Sequence, residues 1–376
     1  MEKKMLKAAV IGCGGRGRCV VGWMRGVSNK ELQIVSAYDP DPEAIEKAKK
    51  EWDSPEMVSS SSMGDAIRFP GVDIVMIFSP NYLHCEAILD ALSCGKRVFS
   101  EKPLATTLED CRKIMDAEKK SGISITTGFV LRYSPFYRKI KELLDSGTFG
   151  KIINISASEN REAFGGGCSM SADYGWRRYR SKGGPYLLEK CSHDLDLLNW
   201  FVSAVPNRVA AFSGLDYFVP ANAHLWEKLG KETFSKLVEE KHRINPFSSE
   251  KDIDDNHALI LEYPNGVKAC FVLTLAAAIP ERRMYINCTE GTIIGECFSG
   301  TLRYRRYTDP YETTLTFKGG GHGGGDEVMV HEVGDSLHGS VKPVSSRASN
   351  GFDCARVALA ADLSARTGKI VSVEKA

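Results

Sequence analysis

The sequence predicts an α/β plus α+β protein: an N-terminal doubly wound parallel sheet, then a domain built on a mostly antiparallel sheet. Three observations carry this. The chain has 376 residues, too many for one ordinary core and enough for two domains. Its first third alternates apolar runs with helical spacing, and strands separated by single helices need crossovers, hence a parallel sheet. Later strand-like runs follow one another across short turns, which makes antiparallel neighbours.

In order, Lys7 to Ile11 is an apolar run ending at glycine, followed by a helix from Arg18 to Arg25. Leu32 to Tyr38 is a strand stopped by Asp39-Pro40, and a charged helix runs from Pro42 to Trp52. Val72 to Phe78 is a strand, and Asn81 is placed to cap a helix over Tyr82 to Cys94 that Gly95 closes. Arg97 to Phe99 is a strand, Thr107-x-x-Asp110 resembles a capping box, and Ile123 to Thr127 completes the series. Ser134-Pro135 starts a helix as cap and first residue, and Gly147 stops it. Ile152 to Ser158 is a strand and Tyr186 to Phe201 one long helix. The strands His257 to Tyr263, Val267 to Leu275, Arg283 to Cys288 and Thr292 to Phe298 follow, with Pro264-Asn265-Gly266 the clearest turn. The division falls near residue 126, giving domains 1–126 and 127–376. The polar, weakly patterned stretch 214–255 reads as an insertion, and 352–366 as a final helix.

Composition excludes several classes of function. Hydrophobic content of 43% and charge of 26% suit a globular protein, and a net charge of +1 gives no pull toward nucleic acid or membrane. No apolar stretch is long enough to cross a bilayer, and Met1-Glu2-Lys3-Lys4 leads into a strand rather than a signal-peptide core. Eleven scattered cysteines without a C-x-x-C pair predict reduced thiols in the cytoplasm and no metal site.

Gly12-Cys13-Gly14-Gly15-Arg16-Gly17 fits G-x-G-x-x-G directly after a strand and at the start of a helix. The first glycine permits the turn, the second lets backbone approach a pyrophosphate, and the third lets helix and strand pack closely. Asp39 ends the second strand about twenty residues on, where a carboxylate accepts from ribose hydroxyls; as a turn residue beside Pro40 it would have no such role. Asp41 and Glu43 follow, with no Arg or Lys nearby in sequence for a 2′-phosphate, so the predicted cofactor is NAD.

Lys102, in Glu101-Lys102-Pro103, follows a parallel strand at the edge where open α/β sheets bind ligands. A bare Glu-Lys-Pro is also a common surface loop. On the helix from Tyr186 to Phe201, Glu189, His193 and Asp196 fall within one arc, opposite Leu187, Leu188, Cys191, Leu195 and Leu198. Such an arc is either a solvated face or an imidazole tuned by two carboxylates, and Gly183-Gly184-Pro185 opens the helix start to a ligand. The run from Trp176 to Arg180 reads equally as a basic loop and as a surface for stacking on a pyranose or pairing with an anion.

Together these pieces resemble the Gfo/Idh/MocA oxidoreductases over nearly the whole chain. The resemblance rests on Ala9-Val10-Ile11-Gly12 with its turn, Ser79-Pro80-Asn81-Tyr82-Leu83-His84, Glu101-Lys102-Pro103 and Arg132-Tyr133-Ser134-Pro135. Trp176-Arg177, Gly183-Gly184 and Glu189-x-x-x-His193-x-x-Asp196 complete it. It implies a Rossmann domain, a second domain with a large open sheet often used for homo-oligomers, and hydride transfer between NAD and a sugar or cyclitol alcohol. It implies Lys102 and His193 as catalytic, with Glu189, where the family has aspartate, in support. It further implies cofactor contacts at Gly12, Gly14, Gly15, Arg16, Gly17, Asp39, Ser79, Asn81, His84, Glu101, Lys102, Arg132, Trp176 and Arg177. Tyr133, Asp196, Lys102, His193 and His322 would meet the substrate. A glycine run, Gly319 to Asp326, recurs in one branch; it reads as a plain turn before a helix or as a place for His322 at the substrate mouth. The family also contains NAD-dependent glycosidases that oxidise a sugar transiently, and a nucleotide-binding protein without turnover is the third reading.

Overall fold

The computed structural model describes residues 5–27, 31–320, 322–337 and 345–375. Met1–Lys4, and Gly321 within the glycine run, lie outside them. Packing divides the chain into two units, Met1–Tyr133 with Gly325–Ala355, and Ser134–Gly324 with Arg356–Ala376.

The first unit holds a six-stranded sheet of β1 (Leu6–Ile11), β2 (Leu32–Tyr38), β3 (Val58–Ser59), β4 (Ile74–Ile77), β5 (Arg97–Ser100) and β6 (Ile125–Thr127). All pairings are parallel, in the order β3-β2-β1-β4-β5-β6. Strand order reverses between β1 and β4, which is where a doubly wound sheet opens a crevice at its carboxyl edge. Ala8, Ala9, Val10 and all of β4 are buried, as strands covered on both faces must be. Local signals set several helices. Asp41 caps Pro42–Glu51 by accepting from the Glu43 N–H, and Thr107 caps Leu108–Ser121 through Asp110.

Where the sequence reading divides the chain once, at 126, residues 325–355 pack with the first unit. Thr127 Oγ1 meets Ser346 Oγ at 2.9 Å, and Thr126 bridges to Arg347 at the edge of β6. Gly351 approaches Leu104 so closely that a Cβ there would lie 2.8 Å from it.

The second unit holds nine strands: β7 (Ile152–Asn160), β8 (Arg208–Gly214), β9 (Asn256–Glu262), β10 (Lys268–Thr274), β11 (Glu281–Cys288), β12 (Gly291–Glu296), β13 (Thr301–Arg306), β14 (Thr313–Thr316) and β15 (Val371–Ser372). Their order is β14-β13-β12-β11-β7-β10-β9-β8-β15, antiparallel except for β7 with β10. Inner positions such as Ile155, Leu259, Leu261, Phe271 and Ile286 are buried, and the alternate positions face outward.

Four local features differ in detail from the sequence pattern. Leu83, not Asn81, stands at the N-cap of His84–Ser93, and Asn81 opens a 3₁₀ turn, Asn81–Leu83, ahead of it. Ser134 stands at the N-cap of Pro135–Asp145 with proline first in the helix, but its hydroxyl makes no capping bond and donates to the Gly323 carbonyl at 2.7 Å. The long helix is two pieces, Tyr186–Glu189 and Ser192–Val202, and in the second every residue but Trp200 is buried. The 214–255 stretch is not merely polar: Phe218, Phe234 and Phe247 pack ring against ring. They rest against helix Ala163–Met170, where a Cβ on Gly167 would lie 2.7 Å from the Phe234 carbonyl.

Candidate active site

In the first unit, the ends of three adjacent strands carry the predicted residues. Gly12 follows β1, Ser79 follows β4, and Glu101-Lys102 follows β5. Gly12 has φ +94°, and a Cβ there would lie 2.6 Å from the Phe78 carbonyl carbon, so only glycine fits. A Cβ on Gly17 would lie 2.4 Å from the Gly12 oxygen, whereas Gly14 and Gly15 face open space. Two glycines thus fix the turn and two leave a cradle for a ligand. Ser79 Oγ is buried there without a partner, a hydroxyl suited to a ligand's polar group. The residues present fit a dinucleotide.

Asp39 is fastened to that turn. Its Oδ2 accepts the Cys13 N–H at 2.7 Å and its Oδ1 the Asp41 N–H at 2.9 Å. Burial, aided by Asp39, pushes the Cys13 thiol up to about 12, so it is no nucleophile. Arg18 donates to the Cys13 carbonyl at 3.0 Å, so a cation does approach this turn. Glu51 takes the charge of Arg18 at 3.1 Å.

Glu101 accepts from Arg16 Nε at 2.7 Å and from the Lys102 backbone N–H at 3.1 Å. Its carboxylate lies where a Cβ on residue 128 would stand, which requires Gly128. His84, implied as a cofactor contact, is fully buried, with Nδ1 2.7 Å from the Pro103 carbonyl and Nε2 3.0 Å from that of Ser79. It fastens the Ser79 loop to the Lys102 loop and has no surface left for a ligand. Asn81 and Arg132 are also buried, and Tyr133, implied at the substrate, is 0% exposed within the core.

In the second unit, His193 opens the helix Ser192–Val202, and its ring centroid lies 5.8 Å from that of His322, at 60°. Asp196, one turn on, is buried. The helix divides at Lys190-Cys191, between Glu189 and His193. Glu189 accepts from Arg177 Nε at 2.9 Å, and the Arg177 guanidinium stacks on Trp176 at 4.3 Å. Of the neighbouring basic residues, Arg178 donates to the Ala172 and Asp173 carbonyls. Arg180 binds Asp252, Asp254 and Asp362. Only Arg177 of these three arginines points outward.

Asp194 stands outside the set of residues expected at the site. Arg282, on β11, grips it at two points, Nε to Oδ1 at 2.9 Å and Nη2 to Oδ2 at 2.7 Å. Glu159 on β7 lies 3.6 Å from Arg282 and 3.4 Å from Lys190. Burial raises the Glu159 carboxyl, but Arg282, Lys190 and Arg161 outweigh it and hold the group near about 2. A buried cluster of charges thus pins both sides of the helix break. No spacing rule links residues 88 positions apart, so nothing local announced it.

This fold, with its glycine cradle and strand-end acid, defines an NAD-binding oxidoreductase. Residues 6–129 match the model of the oxidoreductase family with NAD-binding Rossmann fold, and 137–294 match the GFO/IDH/MocA C-terminal domain. The chain belongs to the Gfo/Idh/MocA family. It is 37% identical over 163 residues to inositol 2-dehydrogenase of Gluconacetobacter diazotrophicus, 43% of this chain and 47% of that protein, so it spans about half of that relative. It is 25% identical over 289 residues to 2,7-anhydro-N-acetylneuraminate hydratase of Escherichia coli, 77% of this chain and 67% of that one. Among solved structures, levoglucosan dehydrogenase with NADH and levoglucosan superposes with a TM-score of 0.81 at 20% identity, over 98% of this chain and 100% of the other. At that identity the likeness shows the fold.

Proposed function

We propose that this enzyme transfers hydride between NAD and a secondary alcohol of a sugar or cyclitol. The observation that carries the reading is the placement of Lys102 at the carboxyl end of β5, on the same sheet edge as the glycine cradle after β1 and Ser79 after β4. NAD, when bound, supplies the hydride acceptor. Lys102 donates a hydrogen bond to the substrate oxygen and stabilises its developing charge. His193 takes the hydroxyl proton, with Asp196 behind it. Glu189 holds Arg177 rather than the substrate, and Arg177 with Trp176 forms the polar and stacking contact. Asp39 receives the adenosine ribose and disfavours a 2′-phosphate. Names of relatives support a carbohydrate substrate: inositol, levoglucosan and an anhydro-neuraminate each appear among them.

His193→Ala should cut turnover at least about a hundredfold while NADH binding persists. Turnover near that of the parent would sink the assignment. The substrate screen follows NADH absorbance across sugars, cyclitols, uronates and glycosides, with each product identified. The hydratase relative and the second imidazole, His322, favour one alternative, redox-neutral cleavage of a glycoside. That reaction would release product without net NADH.

A homo-oligomer in the cytoplasm completes the reading. All eleven cysteines are free thiols, and no helix among the described residues is long and apolar enough to cross a membrane. The outward face of the large sheet exposes Phe212, Ile260 and Val272, on neighbouring strands β8, β9 and β10. A second copy would cover such a patch. Light scattering of the protein and of Phe212→Glu tests this; identical monomeric masses would refute it.

A further inference from the structure

Asp326 closes the glycine run, a feature the reaction leaves unused. It belongs to the first unit, in the opening turn of helix Gly325–Leu337, and its Oδ1 lies 2.7 Å from Arg16 Nη1. Arg16 is the second residue of helix Gly15–Val27, directly after the open positions Gly14 and Gly15. The other side of the same guanidinium, Nε, binds Glu101 Oε1 at 2.7 Å. One arginine at the cofactor turn is therefore shared by two carboxylates from distant parts of the chain.

Among these three side chains Arg16 contributes +1 and the two carboxylates −2, a sum of −1 beside the place where a pyrophosphate settles. Side chains there are 30%, 11% and 26% exposed for Arg16, Glu101 and Asp326, so water screens the group only in part. A carboxylate so placed opposes a neighbouring anion unless the arginine between them compensates it.

We propose that Asp326 is an affinity-setting residue of the cofactor site: through Arg16 it keeps the glycine turn from holding the dinucleotide too tightly. Glu101 cannot be the adjustable member, because it also fixes the Lys102 backbone. Asp326 can, since its removal leaves the Arg16–Glu101 pair in place. This inference rests on the turn binding NAD and not on any substrate or on His193.

The test is NADH binding, followed by fluorescence titration, in four full-length proteins. The parent cluster carries −1, Asp326→Asn carries 0, Arg16→Gln carries −2, and the double variant returns to −1. Affinity should follow that order. Asp326→Asn should bind NADH about threefold or more tightly than the parent, and Arg16→Gln about tenfold or more weakly. The double variant should fall within about threefold of the parent, and all differences should shrink as salt rises. Looser binding by Asp326→Asn would overturn the proposal, as would a double variant no better than Arg16→Gln. Loss of NADH binding by all four would instead strike the cofactor reading. Melting temperatures identify a variant that is merely unfolded, and Asp326→Ser then replaces Asp326→Asn with the same expected shift.

Discussion

Arg282 holds Asp194 through two parallel hydrogen bonds, so the residue next to His193 is tied to the middle of the large sheet. Arg282 is 1% exposed and Asp194 is 0% exposed. Removing the guanidinium would strand the buried Asp194 carboxylate and leave Glu159 to Lys190 and Arg161. Arg282→Met should cost about 3–5 kcal/mol in urea unfolding. A loss below about 1 kcal/mol would show that water reaches the cluster.

The glycine turn separates fold from binding. A methyl on Gly17 would collide with the Gly12 carbonyl, but one on Gly14 would meet only open space. Gly14→Ala should therefore melt near the parent temperature yet bind NADH at least about tenfold more weakly, since the backbone can no longer approach the pyrophosphate. Gly17→Ala should lose both stability and binding. Equal behaviour of the two variants would contradict this division.

Arg177 and Arg180 sit three residues apart with different work. The Arg180 guanidinium pairs with the Asp254 and Asp362 carboxylates, so Arg180→Ala should cost about 2 kcal/mol of stability, read by thermal or urea unfolding. Arg177→Ala should leave melting nearly unchanged and lower kcat/KM about tenfold or more. The reverse pattern would reassign both residues.

His257 predicts an acid limb of stability. Burial pushes its folded-state pKa down from 6.5 to about 4, with Asp254, Arg180, Asp362 and Asp255 around it. The unfolded chain then binds the proton first, so stability contributed by the neutral ring is lost as pH falls from about 6.5 to about 4. The loss is up to about 3 kcal/mol. His257→Leu should flatten that limb in urea titrations at stepped pH, and an unchanged slope would exclude His257 as its source.

Much of the cofactor half was legible because its rules are local. Gly12 needs positive φ beside Phe78, and Gly17 needs contact with Gly12, and both demands appear as fixed spacing. The second unit was less so. Apolar spacing runs on through Lys190-Cys191, so the sequence reads as one helix where the structure has two. The partners of Asp194 and Arg16 lie 88 and 310 positions away, and only folding brings them together. Polar residues at 193, 194 and 196 are buried, Asp194 in the grip of Arg282 on the sheet, which composition alone does not reveal.

The return of residues 325–355 to the first unit bears on how such enzymes exchange parts. Gly334 packs near Val27, Ser346 bonds Thr127, Gly351 abuts Leu104, and Asp326 grips Arg16. A graft that carried only residues 1–133 onto a foreign partner would leave each of those four surfaces bare. The cofactor unit is heritable as a pair of segments and not as one, so recombination that keeps it whole must cross the gene at least twice.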